Sequence, residues 1–109
     1  MARIPSWQKS APVFAALGDP TRLRLLATLC AGGALSIAQL TAGTAITRQA
    51  VTKHLQVLAD AGLVRDSWQG RERQWELEPS RLVEARRALD AIAAQWDQAL
   101  VRLKRLVED

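Results

Sequence analysis

The sequence predicts a mainly α-helical domain carrying one small β-hairpin, in the order α-α-α-α-β-β-α. Three observations lead there. Helix start and stop signals recur at Asp19-Pro20, Ser36 and Thr47, and at Gly18, Gly32-Gly33, Gly43 and Gly62. After Gly62 the apolar period changes from helical to alternating, across Leu63–Trp68 and Glu72–Leu77. From Leu82 to Leu106 the apolar positions fall at intervals of 3 and 4 without a break. The chain has 109 residues, 49% of them hydrophobic and 24% charged, which suits one globular domain spanning 1–109.

The elements follow in order. Residues 1–9 read as a loose N-terminal arm. Ser10 is placed as the cap of a short helix with Pro12 in its first turn, ending at Gly18. Asp19 offers a carboxylate to the orphan amides of the next helix, and Pro20 sits where its missing N–H costs nothing. That helix is expected from Pro20 to about Ala31, with Leu23, Leu26, Ala27 and Cys30 at helical spacing and Leu25 and Leu29 beside them, a face wide enough to put the helix centrally in the core. Cys30 is expected there as a small buried hydrophobe. Leu35 reads as a short strand residue, and Ser36 caps a helix from Ile37 to about Ala42. Thr47 caps the next, Arg48 to Ala61, whose inward stripe is Val51, Leu55 and Leu58. Residues 36–61 thus form a helix-turn-helix candidate.

The wing hairpin is expected over 63–77, with its turn at Gln69-Gly70. That register sets residue 68 against 71, 66 against 73 and 64 against 75, and puts Val64 and Trp75 on one face. Trp68 and Trp75 are both read as hairpin packing. The last helix is expected over 79–107. Its stripe of Leu82, Ala85, Leu89, Ile92, Trp96, Ala99, Leu103 and Leu106 holds for nearly four heptads. A helix of that length, roughly 42 Å, outruns a small domain. Leu82, Leu89, Ile92, Trp96, Leu103 and Leu106 are therefore expected to meet a second copy.

Charge points to a partner. Lys plus Arg is 15 and Asp plus Glu is 11, for a net +4. Residues 1–75 hold nine basic and four acidic groups, whereas 76–109 hold six and seven. A basic body with a balanced tail suits a polyanion for the body and another task for the tail. The Arg48–Ala61 helix exposes Thr47, Arg48, Gln49, Thr52, Lys53 and His54 in its N-terminal half, with no acid among them. Such groups reach base edges when a helix lies in the major groove. Arg71 and Arg73 near the hairpin tip suit a wing along the phosphates. A helix-turn-helix followed by such a hairpin is the plan of a winged helix. A winged helix that docks protein instead of DNA is the alternative, but the basic, amide-rich face favours DNA.

Several classes are disfavoured. No apolar run reaches the length of a membrane span, and Met1–Lys9 lacks a signal-peptide core, so a cytoplasmic protein is expected. No nucleophile–base pair or phosphate loop suggests an enzyme, and no cofactor is expected. One cysteine and one histidine fall short of the three or four soft donors a transition-metal site needs, so no metal site is expected.

Three blocks, ALGDPTRLRLLATL (16–29), ITRQAVTKHLQVLADAGLV (46–64) and GRERQWEL (70–77), resemble the ArsR/SmtB-type winged-helix repressors. The resemblance spans about Val13 to Leu77. It implies a homodimeric, sequence-specific repressor, with the first and last helices building the interface and an effector, not identified by the sequence, releasing the DNA. A two-fold dimer presents each contact twice, so an inverted-repeat operator is expected. Matched residue by residue, it implies Thr47, Gln49, Thr52, Lys53 and His54 as groove-facing, and Arg71 and Arg73 as the wing. The departure is equally plain: the metal-sensing members' Cys-x-Cys pair has no counterpart in 35–43, and the last helix has no histidine.

Overall fold

The computed structural model describes residues 6–108. Five helices and three strands follow one another: α1 (Ser6–Leu17), α2 (Pro20–Gly32), β1 (Leu35–Ser36), α3 (Ile37–Thr41), α4 (Arg48–Asp60), β2 (Val64–Gln69), β3 (Glu72–Leu77) and α5 (Pro79–Glu108). The strands form one antiparallel sheet in the order β1-β3-β2. The expected class is the one observed, and the short strand expected at Leu35 joins the hairpin as a third strand beside β3.

The helix starts are built by short polar side chains satisfying first-turn amides. Asp19 Oδ2 accepts from the Arg22 N–H at 3.0 Å. Ser36 Oγ accepts from the Gln39 N–H while Gln39 Oε1 accepts from the Ser36 N–H, closing a capping box. Thr47 Oγ1 accepts from the Ala50 N–H at 3.1 Å. Ile46, one residue before that cap, joins the core beside Val51, the pairing of a hydrophobic staple.

The first helix departs from expectation. Residues 6–9, read as arm, are helical, and Ser10 lies buried inside α1 rather than capping it. The remainder of the arm, residues 1–5, lies outside the described residues. Pro12 falls in the second turn, where it removes one backbone bond and leaves the carbonyl of exposed Gln8 to solvent. Packing overrides that cost: Val13 and Ala16 are buried, and α1 lies along α5, where Ala85 and Ala88 are small enough to let the helices close.

Only part of the wide apolar face expected for α2 is buried. Leu25 and Leu29 enter the core, whereas Leu23, Ala27 and Cys30 are exposed. The reason lies at Arg22. Its Nε donates to the Ala16 carbonyl at 2.6 Å and its Nη2 to Ala15 at 3.5 Å, tying α2 to the end of α1. That tie selects the Leu25/Leu29 stripe over the equally apolar stripe beside it. Cys30 is thus not a core residue; with Leu26, Leu77, Pro79 and Leu82 it lines an apolar recess between α2 and the start of α5.

Helix α4 ends in a Schellman arrangement. The Leu63 N–H donates to the Leu58 carbonyl and the Gly62 N–H to Ala59, both at 2.9 Å. Gly62 has φ +80°, and a Cβ there would stand 2.8 Å from Arg81 Cγ. Gly62→Ala is therefore expected to cost about 1–2 kcal/mol from the left-handed backbone alone. A urea denaturation midpoint no lower than that of the parent protein would contradict it.

The hairpin register is shifted by two residues from the expected one: Gln69 faces Glu72, Trp68 faces Arg73, Asp66 faces Trp75 and Val64 faces Leu77. The turn is Gly70-Arg71. Gly70 alone carries positive φ (+64°), the pattern of a type II′ turn with glycine first. A shift of two preserves the faces, so Val64 and Trp75 still share the buried side.

Candidate nucleic-acid interface

The outward face of α4 begins where Thr47 ends the turn. Gly43 turns the chain with φ +77°, and the Thr44 hydroxyl donates to the Thr41 carbonyl at 2.7 Å, holding the turn between α3 and α4. Val51, Leu55 and Leu58 are wholly buried and fix the roll of α4. Opposite them, Gln49, Lys53 and Gln56 are exposed along one stripe. Gln49, Lys53 and Arg48, which lies on the flank, make no side-chain hydrogen bond or ion pair among the described residues. Gln56, which the sequence reading did not single out, shares the stripe; its amide donates to Asp60 Oδ1 at 2.9 Å. Its i+7 spacing from Gln49 was the available signal.

The other candidates on α4 are more constrained. Thr47 spends its acceptor on the cap and keeps its O–H free. Thr52 Oγ1 donates to the Arg48 carbonyl at 2.8 Å. His54 turns to the flank, where Arg22 Nη1 donates toward its Nδ1 at 3.4 Å and Asp19 Oδ2 lies 3.9 Å away. His54 is thereby drawn to the α1–α2 junction, away from the Gln49–Lys53 stripe. The Arg22 amide, and then the Arg22 charge, outweigh partial burial and hold the Asp19 carboxyl below the usual carboxylate range. Asp19 thus supports this junction across neutral pH, and its contribution is lost only as the pH falls through that lowered value.

The wing separates its two arginines. Arg71, in the turn, is exposed and has no ion-pair partner among the described residues. Arg73 Nε donates to Asp66 Oδ2 at 2.7 Å, and its guanidinium lies 4.5 Å over the Trp75 ring. Behind them, Arg65 bridges Glu76 (2.9 Å) and Glu78 (2.7 Å), stiffening the base of the hairpin.

On α5, Ala85 and Ala88 are spent on α1, while Leu82, Leu89, Trp96, Leu103 and Leu106 are exposed and Ile92 is half-buried. Among the described residues no three His, Cys, Asp or Glu side chains cluster as metal ligands would, and no helix is long and apolar enough to cross a membrane.

Comparison with known proteins places this architecture. The family pattern described as "Helix-turn-helix domain" matches residues 17–66, from the end of α1 into β2. The HTH-type transcriptional regulator Rv2034 of Mycobacterium tuberculosis is 36% identical over 93 residues, covering 85% of this chain and 83% of its own length. An ArsR-like transcriptional regulator from Rhodococcus sp. RHA1 superimposes with a TM-score of 0.80 at 34% identity, over 94% of this chain and 96% of its own. The chain belongs to the ArsR family of winged helix-turn-helix transcriptional regulators. This ArsR-family regulator also resembles the cadmium metal-sensor CMTR of M. tuberculosis, with a TM-score of 0.56 and 38% identity, over 70% of this chain and 75% of that one. It is a DNA-binding transcriptional regulator and not an enzyme.

Proposed function

We propose that this ArsR-family regulator is a homodimeric, cytoplasmic repressor that reads an inverted-repeat operator without sensing a metal. The observation that carries the reading is the α4 face. Arg48, Gln49 and Lys53 stand exposed with no intramolecular partner to displace, on a helix whose one acid, Asp60, lies in its last turn. Thr47, Thr52 and His54 flank this set; Arg71 supplies the wing's phosphate contact, and Arg73, held by Asp66 and Trp75, braces the hairpin. A second copy covers Leu82, Leu89, Ile92, Trp96, Leu103 and Leu106 on α5. A two-fold dimer presents each recognition helix twice, hence the inverted repeat. Repression follows the family. The donors present do not match those of a soft-metal site, despite the likeness to a cadmium sensor. The chain has one thiol, on α2, and one imidazole, on α4 and already engaged by Arg22. Soft divalent ions take three or four such donors.

Selection of genomic fragments by the purified protein, followed by binding measured on the selected duplex and on random duplex at several salt concentrations, tests the reading. Gln49→Ala is expected to narrow the gap between the two duplexes by about 1–3 kcal/mol while leaving the salt dependence intact. Arg71→Ala is expected to weaken both and to flatten the salt slope by about two units, one contact per protomer. Equal loss on both duplexes from both variants would refute this division of labour. No effect from either would favour a winged helix that docks protein.

A further inference from the structure

Trp68 and Trp75 sit two pairs apart on the hairpin, yet Trp75 is 1% exposed and Trp68 is 68% exposed. Alternation puts Val64, Asp66 and Trp68 of β2 on the same side of the sheet as Leu77, Trp75 and Arg73 of β3. Val64 and Trp75 on that side are buried, so it is the side on which the helices lie. Trp68 therefore overhangs beyond the edge of the core, on the helical side of the wing. Its cross-strand neighbour Arg73 does not cover it, because Asp66 and the Trp75 ring hold the guanidinium. Trp68 is thus not the hairpin packing residue the sequence suggested, and most of its indole is open to a partner.

The charges around it decide what does cover it. On the Trp68 side of the wing the one acid, Asp66, is already paired with Arg73. The tip's other acid, Glu72, faces Gln69 on the opposite side. Arg71, in the turn three residues after Trp68, is exposed and has no ion-pair partner among the described residues. The wing tip thus offers an apolar plate with an unopposed cation close by in the chain. That combination matches a groove wall of duplex DNA, where the apolar faces of deoxyribose rings alternate with phosphates. The geometry points to Trp68 as a DNA contact of the wing, its indole laid on deoxyribose along the groove wall while Arg71 engages the neighbouring phosphate. This rests on the DNA-binding reading and extends the interface to a residue whose contribution is apolar and therefore nearly independent of salt. The two wing residues are separable on that ground.

Protein labelled with 5-fluorotryptophan gives one fluorine resonance per indole, and Trp68→Phe identifies that of Trp68. Titration with selected and with random duplex is expected to shift or broaden the Trp68 resonance on both, and to leave Trp75 in place. Trp68→Ala is expected to weaken both duplexes by about tenfold, the scale of burying part of an indole, with the salt slope unchanged. Trp68→Phe recovers part of the loss. Because Trp68 is exposed, both variants are expected to melt with the parent protein. An unmoved Trp68 resonance, in protein whose Gln49→Ala variant still loses discrimination, would overturn the wing contact and leave the DNA reading standing. A Trp68 resonance that responds to protein concentration without DNA would overturn it in favour of contact with a second copy. Failure of the parent protein to bind either duplex would instead overturn the reading on which the contact rests.

Discussion

Trp75→Ala is expected to cost roughly 3–5 kcal/mol of folding free energy. The indole is the largest wholly buried side chain, and it sits where the sheet meets the helices. Strand β3 holds it between β1 and β2, with Leu35 directly opposite on one side and Asp66 on the other. Its ring also carries the Arg73 guanidinium, which Asp66 positions. Alanine would remove the transfer free energy of the ring, leave a cavity that three hydrogen-bonded strands cannot close, and strip Arg73 of its platform. A domain of this length has roughly 5–15 kcal/mol of stability in all, so the variant would be marginal at body temperature. Each kilocalorie shifts the melting temperature by about 4–8 °C at this size, so a drop of well over ten degrees is expected. Trp68→Ala on the same hairpin is the control, with an expected change within about 0.5 kcal/mol. If Trp75→Ala melted within a few degrees of the parent, the wing would not be anchored through this residue. Because Arg71 rides on the same hairpin, folded Trp75→Ala protein should also lose part of the wing's contribution to DNA affinity.

The contrast between these two tryptophans marks how far the sequence could be read. Asp19, Ser36 and Thr47 cap the helices they were expected to cap, since capping is local chemistry that three or four residues specify. The inward stripe of α4 was legible for the same reason: only one face of that helix is apolar. Helix α2 has one wide apolar face, so its periodicity could not tell that Leu25 and Leu29 enter the core while Leu23, Ala27 and Cys30 stay exposed. The choice is made by Arg22 reaching the end of α1, a tertiary contact. The start of α1 was missed because Trp7, Gln8 and Lys9 carry no buried apolar stripe, and Pro12 reads as a first-turn residue. The hairpin register slipped by two because both registers bury Val64 and Trp75. Only the conformation of Gly70, first in its turn, separates them. The candidate interface was legible as a set of exposed, uncompensated groups, Arg48, Gln49, Lys53 and Arg71. It was illegible where partners come from distant elements, as Arg22 does for His54, or where two residues on one strand face, Trp68 and Trp75, lie on either side of the core's edge.

Leu89→Glu is expected to yield a folded monomer that binds the operator more weakly by well over tenfold. Helix α5 has 30 residues and so is about 45 Å long, within a molecule whose longest dimension is 67 Å. Helix α1, with 12 residues, covers only part of it, through Ala85 and Ala88. The rest of the stripe is left bare: Leu89 is 53% exposed, Trp96 66% and Leu103 57%. A contiguous apolar surface of this kind marks an interaction face. Glutamate at an exposed position costs the isolated protomer little, so its thermal unfolding measured at low concentration should stay close to that of the parent. In the pair, the same carboxylate is buried against apolar side chains with no partner, a cost of several kcal/mol. The substitution therefore acts on association and spares the fold, which is what separates an intermolecular stripe from an intramolecular one. Losing the second recognition helix removes half of the base contacts and the benefit of binding both half-sites at once, and each 1.4 kcal/mol so lost is a factor of about ten. Sedimentation equilibrium of the variant decides the matter. A stable dimer would move the interface away from Leu89, and an unfolded chain would show that the stripe belongs to the protomer's own core.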